Sequence, residues 1–460
     1  MICRYLPAVA AVLGGCAVLV WLAASAPRPV AVRAPEAVPS PPRAVADTVG
    51  RNEGTLVMGD GVPSALAGSW QQFRGPDRTN VVRDVPPLAR SFPSEGPNVL
   101  WRIEAGEGHA GAAVHNGRVY MMDYDRDRQE DVVRCLSLDD GREIWRHTYS
   151  VVVRRNHGMS RTVPAVTDDY VVTLGPKCHV VCLEARDGTL LWKKDLVEEN
   201  GTRVPPWYAG QCPLIDGDRV ILAPGADPLM MAVDLATGEP VWETENPGEW
   251  GMTHSSVAIV QDAGPRQYVY CTTQGVVGVE AETGRLLWTT TDWRITLANV
   301  PTPVPLGDGR VLFSGGYNSG AVLLQISEDG PPTVLWRTPA ETFASDQQTP
   351  IFYKGHIYGV IPSGQMACMD PDGRVLWTSG AANRFGLGPF LIADGLLYVL
   401  HDQSCTLYVI EAAPDGYREL ASRKLMDGHD AWAPMAVAAG RLILRDVTQV
   451  LCIEMPRETG

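Results

Sequence analysis

The sequence lacks the features that several common protein classes require. Its 460 residues include 39 Lys and Arg against 53 Asp and Glu, so the formal charge is −14, and there is no long basic run. Proteins that follow nucleic-acid phosphates need clustered Lys and Arg, so nucleic acid is not a predicted partner. The sequence also has no G-x-S-x-G nucleophile motif, no Cys-x-x-Cys-His haem motif, and no second cysteine pair to complete a zinc site with Cys178 and Cys182.

One acidic loop begins like a calcium-binding loop and then departs from that pattern. Asp123, Asp125 and Asp127 place oxygens at alternate positions. The sixth position is Arg128 rather than Gly, and the twelfth is Arg134 rather than Glu. We therefore interpret the loop as a solvated strand connection and predict no metal site.

The first residues are typical of an export signal. Met1 to Arg4 carry one positive charge, residues 5–26 are uncharged and mostly apolar, and Ala24-Ser25-Ala26 matches a small-x-small cleavage site. The run is long enough to span a bilayer, so residues 1–26 are either a signal peptide or a membrane anchor, and lipidation of Cys16 is a third alternative. In each case we predict an extracytoplasmic location, periplasmic or at the cell envelope, with membrane contact through this segment.

Residues 27–68 are rich in Pro and Ala. Six prolines fall between Pro27 and Pro42, and no apolar periodicity is present. This composition predicts a disordered linker, with the folded part beginning near Ser69 and continuing to residue 460.

One phrase recurs along the folded part. It contains a small apolar residue, an acidic or polar residue, an Asp-Gly or Thr-Gly turn, and a Trp four residues after the Gly. Its copies end at Trp145, Trp192, Trp242, Trp288, Trp336, Trp377 and, without the Trp, Leu420. Each copy predicts two strands joined by a tight turn, because Gly supplies the positive φ that the turn requires. With two more strands predicted before each copy, a period of roughly 40 to 50 residues indicates four-stranded propeller blades.

The two ends of the repeat series complement each other. The eighth repeat stops at Leu451-Cys452-Ile453 without an outer strand, whereas residues 98–102 look like an outer strand with no blade before it. Pairing the two would remove exposed strand edges. The sequence therefore predicts an all-β, eight-bladed β-propeller of four-stranded blades, closed by an N-terminal strand that completes the last blade, and we expect a monomeric ring.

The recurring Trp residues occupy the same position in successive outer strands. This recurrence predicts structural packing between neighbouring blades rather than a cofactor cage. The predicted docking set is Trp101, Trp145, Trp192, Trp242, Trp288, Trp336 and Trp377.

The repeat also carries a family resemblance. The copy from Ala232 to Trp242 reads A-x-D-x-x-T-G-x-x-x-W, which resembles the tryptophan-docking repeat of pyrroloquinoline-quinone (PQQ)-like β-propellers. That family includes quinoprotein alcohol dehydrogenases and the BamB-type propeller lipoprotein of the outer-membrane barrel-assembly machinery. Trp70, Phe73-Arg74-Gly75-Pro76 and Leu100-Trp101-Arg102 further resemble secreted propellers of planctomycete-like bacteria. The resemblance covers nearly all of residues 98–455 and implies the fold, but the same ring hosts redox enzymes and docking scaffolds.

Residues before the innermost strands are predicted to surround the mouth of the central channel. Aromatic, His, acidic and amide groups from different blades converge there, as a ligand pocket requires. The candidate ligand-binding residues are Glu107, His109, His157, Arg161, Trp207, Tyr208, Trp250, His254, Asn299, Asp346, Gln347, Arg384, His429, Asp430 and Trp432.

The resemblance implies a redox alternative that can be compared residue by residue. Quinoprotein dehydrogenases cover the quinone with a disulfide between adjacent cysteines and hold calcium with Glu, Asn and Asp. This sequence has no Cys-Cys pair, and Asn299 and Asp346 are candidates for the calcium set without a local motif that identifies them. We therefore predict no catalytic residues and no cofactor, with PQQ and calcium only under the alternative.

The preferred function is a non-catalytic scaffold that docks envelope proteins or glycans. The first alternative is a PQQ- or metal-dependent oxidoreductase of an alcohol or sugar. The second is a carbohydrate-binding module whose stacking platforms are Trp207, Tyr208, Trp250 and Trp432.

Overall fold

The short apolar runs form β-strands, and the strands assemble into eight separate sheets. The structure is a computed structural model that describes residues 54–83, 85–295, 297–328 and 330–458. The predicted signal peptide or anchor and residues 27–53 of the predicted linker lie outside the described residues. Within the described part, no helix combines the length and the apolar character needed to cross a membrane.

Three strands precede the first complete repeat: β1 (Thr55–Met58), β2 (Val81–Val82) and β3 (Val99–Glu104). From the innermost strand outward, blade one contains β4 (Ala112–His115), β5 (Arg118–Asp125), β6 (Glu130–Ser137) and β7 (Glu143–Ser150). Blade two contains β8 (Ala165–Val166), β9 (Tyr170–Leu174), β10 (His179–Glu184) and β11 (Leu190–Asp195), followed by the helix α1 (Leu196–Asn200). Blade three contains β12 (Leu214–Asp216), β13 (Arg219–Leu222), β14 (Met230–Asp234) and β15 (Pro240–Thr244). Blade four contains β16 (Ala258–Val260), β17 (Gln267–Cys271), β18 (Val276–Glu280) and β19 (Leu286–Thr290).

The second half of the ring repeats this arrangement. Blade five contains β20 (Val304–Gly307), β21 (Arg310–Gly315), β22 (Gly320–Ser327) and β23 (Gly330–Thr338). Blade six contains β24 (Ile351–Tyr353), β25 (His356–Val360), β26 (Met366–Met369) and β27 (Val375–Thr378). Blade seven contains β28 (Phe390–Ala393), β29 (Leu396–Leu400), β30 (Thr406–Glu411) and β31 (Glu419–Lys424). Blade eight contains β32 (Ala436–Ala438), β33 (Arg441–Arg445), β34 (Gln449–Glu454) and, as its outer strand, β3.

The predicted eight-bladed, all-β propeller and its mode of closure are confirmed. In blade eight, β3 pairs antiparallel with β34, and Trp101 stands opposite Cys452. The first outer strand of the propeller therefore completes the last blade, which leaves β34 with a partner on each side.

The docking Trp residues connect neighbouring blades. In six of them the indole Nε1 donates a hydrogen bond to a carbonyl oxygen of the next blade. The pairs are Trp101 with Leu138 (2.9 Å), Trp145 with Ala185 (3.3 Å), Trp192 with Leu235 (2.9 Å), Trp242 with Ala281 (3.2 Å), Trp336 with Pro371 (2.8 Å) and Trp377 with Ala413 (2.9 Å). Trp288 instead donates to the Gln267 side chain of its own blade at 2.7 Å, and the blade that follows it carries the degenerate repeat.

The turn glycines make these contacts possible. Gly188, with a φ of 79°, lies in the turn of blade two, and a Cβ there would lie 2.6 Å from the ring of Trp145. Any larger residue would displace the indole, and the positive φ would strain it as well. The Gly of the repeated phrase therefore serves both the turn and the contact between blades.

The predicted linker boundary requires correction. Strand β1 pairs antiparallel with β7 as a fifth strand of blade one, with Met58 opposite Trp145. The amide of Gly61 donates to the Glu143 carbonyl at 2.8 Å, and the amide of Ser64 donates to the Gly117 carbonyl at 3.0 Å. Residues 55–61 thus pack on blade one, because the free outer edge of β7 satisfies their backbone hydrogen bonds, and the turn between β4 and β5 holds Ser64.

Residues 70–82 cross the central channel, and we call them the plug. At one end, Trp70 exchanges backbone hydrogen bonds of 2.7 and 2.8 Å with Val114 of blade one. At the other end, β2 pairs in parallel with β28 of blade seven. Between these ends, the Arg78 guanidinium donates to the carbonyl of Val257 in blade four, 3.0 Å away. Because these blades lie on different sides of the ring, the plug closes the channel across its axis.

Candidate functional site

The first candidate site is a cavity on the propeller axis, which we call the axial pocket. Its volume is about 450 Å³, and Phe73 of the plug lines it. Each of the eight blades contributes a residue that precedes its innermost strand, in order His109, Arg161, Trp207, His254, Val300, Asp346, Leu387 and Trp432. The axial pocket therefore lies where the eight segments that precede the innermost strands converge, and the plug forms its closed end.

Eight of the fifteen candidate residues line the axial pocket. They are His109, His157, Arg161, Trp207, His254, Asp346, Gln347 and Trp432. Three others, Glu107, His429 and Asp430, line an adjacent cavity of about 410 Å³ that also includes His109 and His157. The channel mouth thus has a central pocket and a smaller recess beside it.

Four candidates line neither cavity. The Tyr208 hydroxyl hydrogen-bonds to the backbone of Arg154, with the carbonyl 2.7 Å away. Trp250 packs against the hydrophobic core between blades three and four. Asn299 is buried, and exposed Arg384 donates from its Nε to the Ala381 carbonyl at 3.2 Å.

Two histidines in the pocket wall are held neutral. Burial lowers the pKa of His109 to about 4, with a smaller contribution from the nearby Arg161 and Arg445 guanidinium groups. Its Nε2 lies 2.8 Å from the His157 carbonyl, so Nε2 carries the proton and Nδ1 is an acceptor. Burial likewise lowers the pKa of His254 to about 4.

Aromatic rings accompany both histidines. The ring of Trp432 lies 4.6 Å from that of His109, and the ring of Trp207 lies 6.4 Å from that of His254, measured between centroids. The pocket wall therefore has two aromatic–imidazole pairs, from blades eight and one and from blades three and four. These surfaces suit an apolar or aromatic group of a ligand.

One cation and one anion face each other across the pocket. Arg161 belongs to blade two and Asp346 to blade six, which are opposite blades in an eight-bladed ring. The Arg161 guanidinium donates to the Asn156 carbonyl at 2.7 Å, and burial lowers its pKa to about 10. Burial raises the pKa of Asp346. The pocket is therefore dipolar, and its two charged side chains would complement a ligand with both acceptor and donor groups.

The rim contains several residues in a backbone conformation that non-glycine residues rarely adopt. Their φ angles lie between 50° and 74°, for His157, Trp207, Tyr208, Tyr317 and Asp430. Such left-handed residues persist only where surrounding contacts hold them, and they concentrate at functional sites. Their presence around one opening supports a functional role for this end of the channel.

The sequence reasoning missed several wall residues. Phe73, Cys212, Ser256, Tyr317 and Gln348 all line the axial pocket. The Gln348 amide donates to the carbonyls of Leu387 and Trp432, at 3.2 and 3.0 Å, and so links three blades. Its position next to the candidate Gln347 could have identified Gln348 from the sequence, whereas no neighbouring motif relates Phe73 to the channel.

The pocket wall contains a thiol and a hydroxyl without an activating base. Burial raises the pKa of the Cys212 thiol, and its sulfur contacts the Val163 amide nitrogen (3.3 Å) and the Gly210 carbonyl (3.9 Å). The Ser256 hydroxyl accepts a hydrogen bond from the Cys212 amide at 3.0 Å. Among the described residues neither group hydrogen-bonds to a His that could activate it as a nucleophile.

The residues do not fit the PQQ and calcium set that the fold family implies. Asp346 lines the axial pocket, but Asn299 does not, so the two candidate calcium ligands do not meet there. The wall in the described part of the chain includes no Glu. The eight described cysteines are free, buried thiols and supply no disulfide lid over a quinone.

Comparisons with known proteins agree with the fold. A BamB from Moranella endobia (strain PCIT) is 21% identical over 341 residues, which are 69% of this chain and 70% of that protein. The crystal structure of BamB from Moraxella catarrhalis superimposes with a TM-score of 0.53 at 13% identity and covers 78% of this chain and 99% of its own. A europium-containing methanol dehydrogenase has a TM-score of 0.59 at 13% identity, covering 84% and 89%.

The structural likenesses show the fold alone, because the sequence identities are low. The family described as outer membrane protein assembly factor BamB matches residues 128–370, which is more than half of the chain and includes parts of blades one to six. The repeats, the eight-bladed ring and this match agree, and the chain belongs to the BamB-type family of PQQ-like β-propellers.

Proposed function

We propose that this chain is a non-catalytic, extracytoplasmic scaffold that receives a segment of an envelope protein at the open mouth of the axial pocket. One observation carries the proposal: the plug closes one end of the channel, and residues of all eight blades converge at the other. A one-ended pocket with aromatic walls and a polar rim suits an inserted side chain or loop.

The family supports an envelope role. Its described members are assembly factors of the outer membrane, and that name indicates work alongside other envelope proteins. The apolar segment of residues 5–26 is in keeping with export.

A protein partner is favoured over a glycan. Sugar recognition by stacking was expected to use four aromatic platforms, but Tyr208 is hydrogen-bonded to Arg154 and Trp250 packs into the core. Trp207 and Trp432 remain in the axial pocket, each next to a histidine. A dipolar pocket with two aromatic surfaces suits an amino-acid side chain with its backbone amide groups.

Site-specific cross-linking in intact cells tests the proposal. A photoreactive amino acid replaces exposed His157, which lines the axial pocket, and in a matched strain it replaces Leu66, which is 43% exposed on the plug side. We expect one defined envelope protein to be cross-linked from position 157 and not from position 66. Mass spectrometry identifies the adduct.

Two outcomes would overturn the proposal. Equal cross-linking from positions 157 and 66 would mean that the mouth is not a specific docking site. A polysaccharide adduct at 157 would replace the protein partner with a glycan. Trp432→Ala in the His157 strain provides a further check, since the adduct should decrease when the neighbouring wall is truncated.

A further inference from the structure

A second cavity lies on the other side of the plug. This cavity, which we call the plug groove, has a volume of about 620 Å³ and runs between the plug and the innermost strands of blades three to six. Arg74 and Arg78 of the plug line it, facing the apolar side chains of Ile215, Ile259 and Phe352. The groove is separate from the axial pocket, whose wall includes Phe73 but neither arginine.

Arg74 is a buried cation whose partners are all neutral. The residue is only 4% exposed. The guanidinium donates to the carbonyls of Arg78 (2.9 Å), Thr79 (3.1 Å), Thr349 (3.1 Å) and Pro350 (3.1 Å). These carbonyls satisfy its hydrogen bonds, but they do not neutralise its charge.

Arg78 is a second cation, which is partly exposed and whose hydrogen-bond partners are also neutral. It donates to the Gln72 side-chain oxygen at 3.2 Å and to the Val257 carbonyl at 3.0 Å, and it lies 6.0 Å from the Phe73 ring centroid. Across the described residues, neither Arg74 nor Arg78 has a carboxylate within salt-bridge distance. Burial, with a smaller contribution from the charge of Arg78, lowers the pKa of Arg74 to about 9.

The carboxylates that line the groove are already paired with other arginines. Asp77 forms a salt bridge with Arg83. Asp216 forms one with Arg266 at 2.5 Å and also accepts a hydrogen bond from the Tyr268 hydroxyl. Among the described residues that line the groove, the positive charge of Arg74 and Arg78 therefore lacks a counter-charge, in a chain whose formal charge is −14.

The backbone holds both arginines in this position at a cost in strain. Arg74 has a φ of 67° and Arg78 a φ of 56°, both in the left-handed region. Non-glycine residues in that region are destabilising unless the surroundings hold them, and they persist at binding sites. The strain and the missing counter-charge are independent observations that concern the same two residues.

We propose that the plug groove binds an oxyanion, a phosphate or carboxylate group, that neutralises Arg74 and Arg78. The Arg78 guanidinium is suited to direct contact, because the geometry of its N–H groups matches both anions. The Arg74 N–H groups donate to carbonyls, so Arg74 contributes its positive charge rather than a direct contact. The apolar wall formed by Ile215, Ile259 and Phe352 accepts the uncharged part of an organic anion. This site lies on the side of the plug away from the proposed docking mouth and does not depend on it.

Isothermal titration calorimetry at constant ionic strength tests this inference. The probes are inorganic phosphate, citrate and dihexanoyl phosphatidic acid, with chloride as the reference anion. We expect saturable binding of the oxyanions that exceeds binding of chloride. Tighter binding of phosphatidic acid than of phosphate would identify an organic phosphate as the ligand, whereas tighter binding of citrate would identify a carboxylate.

Two variants change the groove in opposite directions. Arg78→Met should weaken oxyanion binding at least about tenfold, because it removes one of the two unpaired cations. Asp77→Asn should tighten it several-fold, because it removes a negative charge and frees Arg83 from its salt bridge. Arg203→Gln, which changes an exposed arginine outside the groove, should leave the dissociation constant unchanged.

The inference would be overturned by oxyanion binding no stronger than that of chloride, or by equal dissociation constants in the native protein, Arg78→Met and Asp77→Asn. If Arg78→Met fails to fold, Asp77→Asn still decides the matter, because Asp77 is exposed and its loss only adds positive charge. The circular dichroism spectrum and thermal unfolding midpoint of each variant establish that it is folded.

Discussion

The indole Nε1 of Trp101 lies 2.9 Å from the carbonyl oxygen of Leu138, and this contact joins the strand that completes blade eight to blade one. The same contact recurs between other neighbouring blades, so the interface between blades eight and one resembles the other interfaces of the ring. We therefore expect this closing interface to contribute to the stability of the whole ring.

Trp101→Ala should reduce the free energy of unfolding by about 3–5 kcal/mol, the usual cost of truncating a buried Trp. Trp101 is 6% exposed, whereas Val99 on the same strand is 44% exposed. Val99→Ala is the matched control and should change stability by less than about 0.5 kcal/mol. Denaturant unfolding measures both, and an unchanged midpoint for Trp101→Ala, or for deletion of residues 98–103, would refute closure by this strand.

Thermolysin should leave residues 55–69 attached to the protected core. Leu56, Val57 and Met58 are exposed, but β1 holds their backbone against β7, and a protease needs an extended, free segment. We expect the first cuts before Gly54, which mass spectrometry of the core would show. A core that begins at or after Ser69 would restore the original linker boundary.

Asp131 should make stability decrease as the pH rises. Its carboxyl is fully buried, and burial raises its pKa to about 8, while the neighbouring Tyr149 hydroxyl opposes the shift. Because the folded pKa exceeds the unfolded value near 4, the stabilisation is complete below about pH 4 and is lost progressively up to about pH 8.

Asp131→Asn should remove most of this slope. We expect the difference in unfolding free energy between the variant and the native protein to change by a few kcal/mol between about pH 5 and pH 8. Asp218→Asn, at a carboxyl that is 88% exposed, should leave the slope unchanged. Parallel pH profiles for the native protein and Asp131→Asn would show that the buried carboxyl does not titrate in this range.

The protein should not oxidise alcohols when PQQ and calcium are supplied. The axial pocket has no disulfide lid among its described cysteines, and Asn299 does not reach it to join Asp346. A quinone without a lid would remain in contact with water and lose the preorganised surroundings that hydride or proton transfer needs. Absorbance and dye reduction during a quinone titration provide the measurement.

A positive result in that titration would be informative. Stoichiometric quinone binding with alcohol-dependent turnover that disappears in Asp346→Ala, but persists in Trp250→Ala, would replace the scaffold with a dehydrogenase. Trp250 is the control because it packs into the core and does not line the axial pocket.

The ring could be predicted from the sequence because the pattern that marks each blade lies within a short stretch of the chain. A turn Gly and a Trp four residues later lie within one hairpin, and the contact of Trp145 with Gly188 recurs with the repeat. The pairing of residues 98–102 with the last repeat was also predictable, since one strand was missing at one end and one was left over at the other.

The plug and β1 could not be predicted from the sequence, because their contacts do not recur with the repeat. The Arg74 guanidinium bonds to the carbonyl of Thr349, which is 275 residues away. Strand β1 has only four residues and follows a Pro- and Ala-rich segment, so composition outweighed its short apolar run. At the mouth, Tyr208 lies outside the axial pocket because it hydrogen-bonds to Arg154, and Trp250 lies outside it because it packs against the core. No sequence motif indicates either contact.

The most direct test of the scaffold is the affinity of the partner identified by cross-linking. A double variant, Arg161→Gln with Trp432→Ala, truncates two walls of the axial pocket, while Arg90→Gln with Leu66→Ala changes an arginine and an exposed leucine on the plug side. We predict that the mouth variant weakens the dissociation constant at least about tenfold and that the plug-side variant changes it less than about twofold. Equal affinities for the two variants, or a larger loss from the plug side, would contradict docking at the mouth.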